Sequence, residues 1–426
     1  MRLTVPAACL LAACATTAPP APSAPAAAPL GPLAEETHFS KLRQLTFGGE
    51  NAEAYWSFEG DRLSLQTRTP AEGCDRIYTT AVAEQPARLT LASSGKGATT
   101  CAHFFPGGKE LLYASTHLAG DACPPKPDMS LGYVWALYDS YDLFKKNLAT
   151  GALVQLTTAK GYDAEATVCG KDGSIVFTST RDGDLELYRM DKDGKNVQRL
   201  TFEPGYDGGA FFNQDCSKLV WRASRPRPGK ELDDFRALLS QGLVRPTKLE
   251  LFVANADGSE ATQVTYLNAA SFAPFFHPTE DRIIFSSNAS DPKGREFDLW
   301  AINTDGTALE RITFASGFDG FPMFSPDGKW LAFSSNRATA EGSFDTNVFL
   351  ARWVDHPPLK AEPGPSTGSG RDPSTGSGRG PSTGSGRGSA ERIKADVAWL
   401  AAPEREGRGI GTRGLAEAGA WLEQRM

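Results

Sequence analysis

Short apolar runs, each too brief for a helix that could stand alone, recur along residues 40–356 between clusters of Gly, Pro, Asp and Asn. Three kinds of run alternate. The first carries paired large side chains, as in Tyr55-Trp56, Phe104-Phe105, Phe211-Phe212, Phe275-Phe276 and Met323-Phe324. The second is almost continuously apolar and ends in small or hydroxyl residues: Leu111-Leu112-Tyr113, Ile175-Val176-Phe177, Leu219-Val220-Trp221, Ile283-Ile284-Phe285 and Leu331-Ala332-Phe333. The third is marked by Ile77-Tyr78, Leu143-Phe144, Leu187-Tyr188, Leu251-Phe252, Leu299-Trp300 and Val348-Phe349. Asp-Gly turns at Asp193-Gly194, Asp257-Gly258 and Asp305-Gly306 then lead to a fourth, Leu-Thr run, because Gly supplies the positive φ that tight hairpins need.

The fourth run sets the period. Its copies are Gln44-Leu45-Thr46, Arg88-Leu89-Thr90, Gln155-Leu156-Thr157, Arg199-Leu200-Thr201, Gln263-Val264-Thr265 and Arg311-Ile312-Thr313, with central residues 44, 67, 44, 64 and 48 positions apart. The two long intervals hold insertions from His117 to Tyr141 and from Arg225 to Lys248. With roughly 20 residues removed from each, one period of about 45 remains, the length of a four-stranded propeller blade. The repeats resemble the TolB-like six-bladed β-propeller, whose Ser-Pro-Asp-Gly turn is matched in full at Ser325-Pro326-Asp327-Gly328. The expected fold is therefore all-β, a six-bladed propeller over residues 40–356. The first Leu-Thr run has no preceding strands and the last copy lacks a fourth, so the N-terminal strand should complete the last blade and close the ring.

Composition adds two unfolded stretches to this ring. The 426 residues include 43 Gly and 29 Pro. Many of these lie in an Ala/Pro-rich tether at 14–39 and in three copies of an octapeptide opening at Pro365, Pro373 and Pro381, within a linker at 357–389. Before the tether, Arg2 and an apolar run lead to Leu11-Ala12-Ala13-Cys14, which resembles a bacterial lipobox. The resemblance implies a signal peptide at 1–13, a lipid on Cys14, and residence in the bacterial cell envelope, anchored by acyl chains and facing the periplasm or exterior. A net charge of −7 argues against nucleic-acid partners. Past the signal, five cysteines remain: Cys74, Cys101, Cys123, Cys169 and Cys216. The odd number leaves at least one unpaired. Cys101 on a strand and Cys123 in the loop after the next strand form a candidate disulfide, with Cys74 as a rival partner.

In a propeller, the loops leading into the innermost strands and those between second and third strands share a face, and both insertions are of the latter kind. The first insertion is Pro-stiffened and aromatic, with Trp135 and Tyr138; the second, Lys230 to Gly242, has the apolar spacing of a short helix. Onto this face run Tyr162, Asp163 and Glu165, then Tyr206 and Asp207, then Phe318 and Asp319. They form a candidate rim for a peptide or an envelope protein. A plainer reading has Asp163, Asp207 and Asp319 bonding turn backbone, repeating because the blades repeat.

Catalytic motifs do not survive inspection. Gly364-Pro-Ser366-Thr-Gly368 and Gly380-Pro-Ser382-Thr-Gly384 mimic a nucleophile elbow but lie in the linker with no histidine after them. Gly409-x-Gly411-x-x-Gly414 lacks the strand a dinucleotide site requires. The aspartates around Asp182 and Asp191 lack calcium-loop spacing. Residues 390–426 do resemble the opening of secreted zinc aminopeptidases of metallopeptidase family twenty-eight, through Glu406-Gly-Arg-Gly-Ile-Gly-Thr412, and Cys123-Pro-Pro-Lys-Pro-Asp128 resembles the subgroup that carries a propeller in front. That family binds two zinc ions through residues beyond this opening. His38, His103, His117, His277 and His356 are scattered and lack ligand spacing. The expectation is a non-catalytic, peptide-binding propeller of a peptidase-related protein, with no cofactor, metal ligand or catalytic residue of its own and the catalytic domain missing. A free-standing TolB-like envelope lipoprotein is the alternative. Assignment as a zinc aminopeptidase by family resemblance is a further one.

Overall fold

A computed structural model describes residues 31–355, apart from Pro70, Glu341 and Phe344. The signal peptide, Cys14, most of the tether, the linker, His356 and residues 390–426 lie outside the described residues. Six four-stranded antiparallel sheets form the blades. Their first strands are Glu50–Trp56, Thr99–Phe104, Asp163–Val168, Asp207–Phe212, Ser271–Phe276 and Asp319–Phe324. Each packs against the first strands of the neighbouring blades, so these six surround the central channel. The sixth blade is completed by Phe39–Gln44, which pairs antiparallel with Asn347–Trp353 and buries Phe39 and Leu42. The expected closure by the N-terminal strand is present.

The Leu-Thr signature has a direct physical cause. Its apolar residue is buried, as at Leu45, Leu156, Leu200, Val264 and Ile312. The following Thr hydroxyl accepts the backbone N–H of the adjacent third strand: Leu143 to Thr157 at 2.9 Å, Leu187 to Thr201 at 2.8 Å, Leu251 to Thr265 at 2.8 Å, Leu299 to Thr313 at 2.9 Å and Val348 to Thr46 at 2.9 Å. The hydroxyl thus satisfies a buried donor where the short fourth strand stops. Blade one departs from the expected register. There Ser93 accepts from Ile77 at 3.2 Å and Ala92 fills the apolar position, three residues beyond Leu89-Thr90.

Every first strand breaks its register at one place, between Ala52 and Tyr55, Thr100 and His103, Ala164 and Thr167, Gly208 and Phe211, Phe272 and Phe275, and Gly320 and Met323. The bulge residue takes a left-handed conformation each time: Glu53, Cys101, Glu165, Gly209, Ala273 and Phe321, with φ between 51° and 60°. Such bulges re-aim side chains, here into the channel. Two disulfides staple neighbouring blades, with Cα separations of 5.7 Å for Cys74–Cys123 and 5.8 Å for Cys169–Cys216. The expected Cys101–Cys123 bridge is absent: the bulge turns Cys101 into the channel, while Cys123 lies against the blade-one loop that carries Cys74.

Candidate functional site

The two insertions meet above blade three. Trp135–Ala136 pairs antiparallel with Leu243–Val244, so blades two and four are joined by a two-stranded ribbon that skips the blade between them. The helix Lys230–Leu239 supports it, burying Phe235 and Leu238 while Glu231 and Asp233 occupy its positive end. Between the ribbon, the proline-rich segment and blade three lies a cleft of about 760 Å³ lined by Pro125, Leu131, Tyr138, Tyr162, Leu239 and Gly242. Tyr138 donates to the Pro125 carbonyl, which fixes one wall.

Beneath the ribbon the channel narrows to a polar waist. The six bulge residues line it together with Tyr55, Phe211 and Arg222. Arg222 comes from a second strand and reaches the channel through the space left by Gly209, where any Cβ would collide with its guanidinium. It donates to Glu165 at 2.6 Å, and Tyr206 and Thr178 donate to the same carboxylate at 2.8 Å each. Its guanidinium also lies 5.4 Å from the ring centres of Trp135 and Tyr206, so the ribbon caps the waist through a cation–π stack. Opposite, one Glu53 carboxylate oxygen has no partner, and burial raises its pKa to about 7 against the lowering pull of Cys101 and Arg222. Burial likewise holds the Cys101 thiol well above its ordinary value, making it a protonated, inert sulfur rather than a nucleophile.

The residues named from sequence separate into four groups. Tyr138 and Tyr162 line the cleft, and Trp135 roofs the waist. Glu165 and Tyr206 belong to the waist network. Asp163, Asp207 and Asp319 are buried in ion pairs with arginines 18 residues later: Arg181 at 2.9 Å, Arg225 at 2.7 Å and Arg337 at 2.7 Å. Asp207 also accepts from Trp221 Nε1 at 2.6 Å, and Arg337 binds Glu36 as well. Their partners are arginine side chains, not the turn backbone, and each pair ties the start of a first strand to the end of its second. Phe318 packs among Phe272, Phe297 and Phe321. Glu53, Cys101 and Arg222 escaped the sequence reading as channel residues, although the bulge residue stands third in five of the first strands and fourth in Glu50–Trp56.

Two of the solved structures this chain resembles bear on the fold. A putative TolB from Agrobacterium tumefaciens aligns with a TM-score of 0.51 at 16% identity, over 74% of this chain and 97% of that one. The fold is the TolB-like six-bladed propeller. Hydrazine synthase of Kuenenia stuttgartiensis aligns at a TM-score of 0.50 and 13% identity, over 76% of this chain and 47% of that one. TolB from Acinetobacter baumannii gives 0.45 at 16% identity, and this chain spans 55% of its length. No family model and no curated protein matches the sequence.

This TolB-like propeller brings no three of His, Cys, Asp and Glu into metal-binding proximity among its described residues. His38 bonds the Val354 carbonyl and stacks on Trp353, His117 bonds Ser115, and His277 packs on Phe324. These residues do not fit a pair of zinc ions. Among the described residues no helix is long and apolar enough to cross a membrane.

Proposed function

We propose that this protein is a peptide- or protein-binding propeller of the bacterial cell envelope, anchored through lipid on Cys14, and that it recognises its partner on the face built by the two insertions. The cross-blade ribbon carries this reading. It costs the chain two long excursions, fixes them to each other, and leaves a walled cleft of about 760 Å³ lined by the half-buried Tyr138 and Leu239 and the buried Tyr162. Aromatic and aliphatic surface between rigid walls suits an extended peptide, whose backbone can also pair with the edges of the ribbon. Two disulfides support export to an oxidising compartment. The relation to propeller-bearing zinc aminopeptidases rests on the sequence resemblance at Glu406–Thr412 and Cys123–Asp128. In that setting the propeller would present peptides to a separate catalytic unit. Titration of the full chain with a library of proline- and aromatic-containing peptides, read by tryptophan fluorescence, tests the reading. Binding should weaken about tenfold in the Tyr138→Ala, Leu239→Ser double variant. Equal binding by the variant, or aminopeptidase turnover by the chain with added zinc, overturns it.

A further inference from the structure

The channel is not open from end to end. Two residues past each bulge, the first strands send a second ring inward: Tyr55, His103, Thr167, Phe211, Phe275 and Met323. Tyr55 of blade one meets Phe211 of blade four at 5.6 Å between ring centres, and Phe211 meets Phe275 at 5.5 Å. The first contact crosses the channel and the second widens the obstruction along its wall, so the rings plug the channel below the polar waist. Under the plug, at the mouth formed by the turns between first and second strands, lies a blind cavity of about 360 Å³. Its walls are Trp56, Phe58, Phe211, Phe275 and Met323, and its rim carries Lys171 and Asp215.

One wall residue does not belong in an apolar box. His103 is only 3% exposed, lines the cavity, and has no hydrogen-bond partner on either ring nitrogen. Tyr55, Phe58 and Phe211 surround it with ring centres 5.4 to 6.1 Å away, and none of them offers it a polar contact. Leaving a buried polar atom unsatisfied costs about 1–3 kcal/mol. The same wall could have been built with Phe or Leu at no such cost; four of the other five blades place Tyr, Phe or Met at this ring position, and blade three places Thr167, whose hydroxyl already donates to the Ala210 carbonyl at 2.7 Å. Burial also keeps the imidazole neutral, its pKa pressed down to about 4. A neutral imidazole presents one donor and one acceptor and no charge.

We propose that this cavity is a binding site for a neutral phenolic ring, whose hydroxyl pairs with His103 while the ring stacks among Trp56, Phe58, Phe211 and Phe275. The volume falls within the range of small-ligand pockets, and a single substituted ring fits it. Aromatic walls favour an aromatic guest through edge-to-face contacts. The aromatic walls disfavour carboxylates and ammonium groups at the depth of His103, where they would lose their hydration, because the charges of the lining, Lys171 and Asp215, stand at the rim. A hydroxyl both donates and accepts, so it satisfies either tautomer of His103, which neither a thioether nor a methyl group does. The site stands apart from the peptide cleft: it opens on the opposite face, and the plug and the waist separate the two.

Two probes differing only in the hydroxyl test the site on the full chain. 4-Methylphenol should bind and quench Trp56 fluorescence, with toluene at least about tenfold weaker. In His103→Phe the two probes should bind alike. Equal affinity of the probes for the unaltered protein overturns the proposal, as does failure of 4-methylphenol to bind at millimolar concentration. That comparison needs no variant, so poor folding of His103→Phe leaves it standing. A peptide ending in tyrosine, run beside 4-methylphenol, separates the sources of the ring: tighter binding of the peptide assigns the site to a partner's side chain, and tighter binding of the free phenol to a small molecule. Peptide binding at the insertion face is read separately by the Tyr138→Ala, Leu239→Ser variant, so either idea can fail alone.

Discussion

Glu53 shows what a single buried carboxyl does to this propeller. Its left-handed bulge aims it at the waist, and Arg222 makes its 2.6 Å bond to Glu165, leaving one oxygen of Glu53 without a partner. Burial raises its pKa from 4.5 to about 7. A carboxyl raised in the folded state favours folding fully below its unfolded value, and this contribution is lost as pH rises through 7. Glu53→Gln should therefore match the parent near pH 4.5 and become more stable above it, by about 2–3 kcal/mol at pH 8. Thermal unfolding of both proteins from pH 4.5 to 8 checks this, and a pH-independent difference would contradict it. The arginines beside Asp207 and Asp319 offset the same effect only in part: burial still raises the Asp207 carboxyl to about 6 and the Asp319 carboxyl above its ordinary value. The aspartate–arginine spacing of 18 residues recurs three times in the chain, at Asp163, Asp207 and Asp319, and was legible there. Burial was not legible, because nothing local distinguishes an aspartate at a loop mouth from one folded under its own arginine.

At the scale of elements, the disulfides and the ribbon do related work, Cys74–Cys123 on the ribbon's face and Cys169–Cys216 on the opposite one. Cys74–Cys123 fastens the blade-two insertion to blade one, and Cys169–Cys216 joins the first turns of blades three and four. Each spans nearly 50 residues, 49 and 47 respectively. Loop-closure entropy then predicts a stabilisation of about 4 kcal/mol per bridge, reduced where the unfolded chain keeps structure. The Cys169→Ser, Cys216→Ser double variant should lose about 2–4 kcal/mol in urea unfolding while the cleft on the far face keeps its peptide affinity. The Cys74→Ser, Cys123→Ser variant should lose both stability and affinity, since Cys123 anchors the segment running to Pro125 and Tyr138. Sequence alone put Cys101 forward as the partner of Cys123 with Cys74 as its rival, and the rival forms the bridge, because strand periodicity cannot foresee a bulge that swings one side chain into the channel. The slip in blade one has a similar origin. Leu89-Thr90 and Ala92-Ser93 both offer an apolar residue followed by a hydroxyl, and only the pairing of Ile77 with Ser93 decides between them.

The whole molecule depends on closure. Phe39–Gln44 satisfies the edge of Asn347–Trp353, and Glu36 binds Arg337, itself paired with Asp319 of the innermost strand. The two ends of the ring are thus tied by backbone and by side chains. Deleting residues 31–44 exposes the edge of Asn347–Trp353 and the apolar surface that Phe39 and Leu42 cover, and should lower stability by at least about 4 kcal/mol. Limited proteolysis should then cut first within blade six. Uniform cutting around the ring would argue that closure does not matter. Rigid closure also explains how the insertions of blades two and four can meet, since both anchors are held at fixed positions with blade three between them.

By itself the sequence determined the six repeats, the all-β class and the closing strand. Each depends on short-range alternation, turn residues and a count of ends, and those quantities are local. Tertiary structure alone decided the rest. The waist gathers Glu53, Cys101, Glu165 and Arg222 from four blades, and the bulge positions hold Glu, Cys, Gly, Ala and Phe, with no shared chemistry for a pattern to reveal. The phenolic cavity arises because His103 stands on a ring whose other members come from five further blades. A residue's identity is written in the chain, but the dielectric around it and the groups it meets belong to the closed ring.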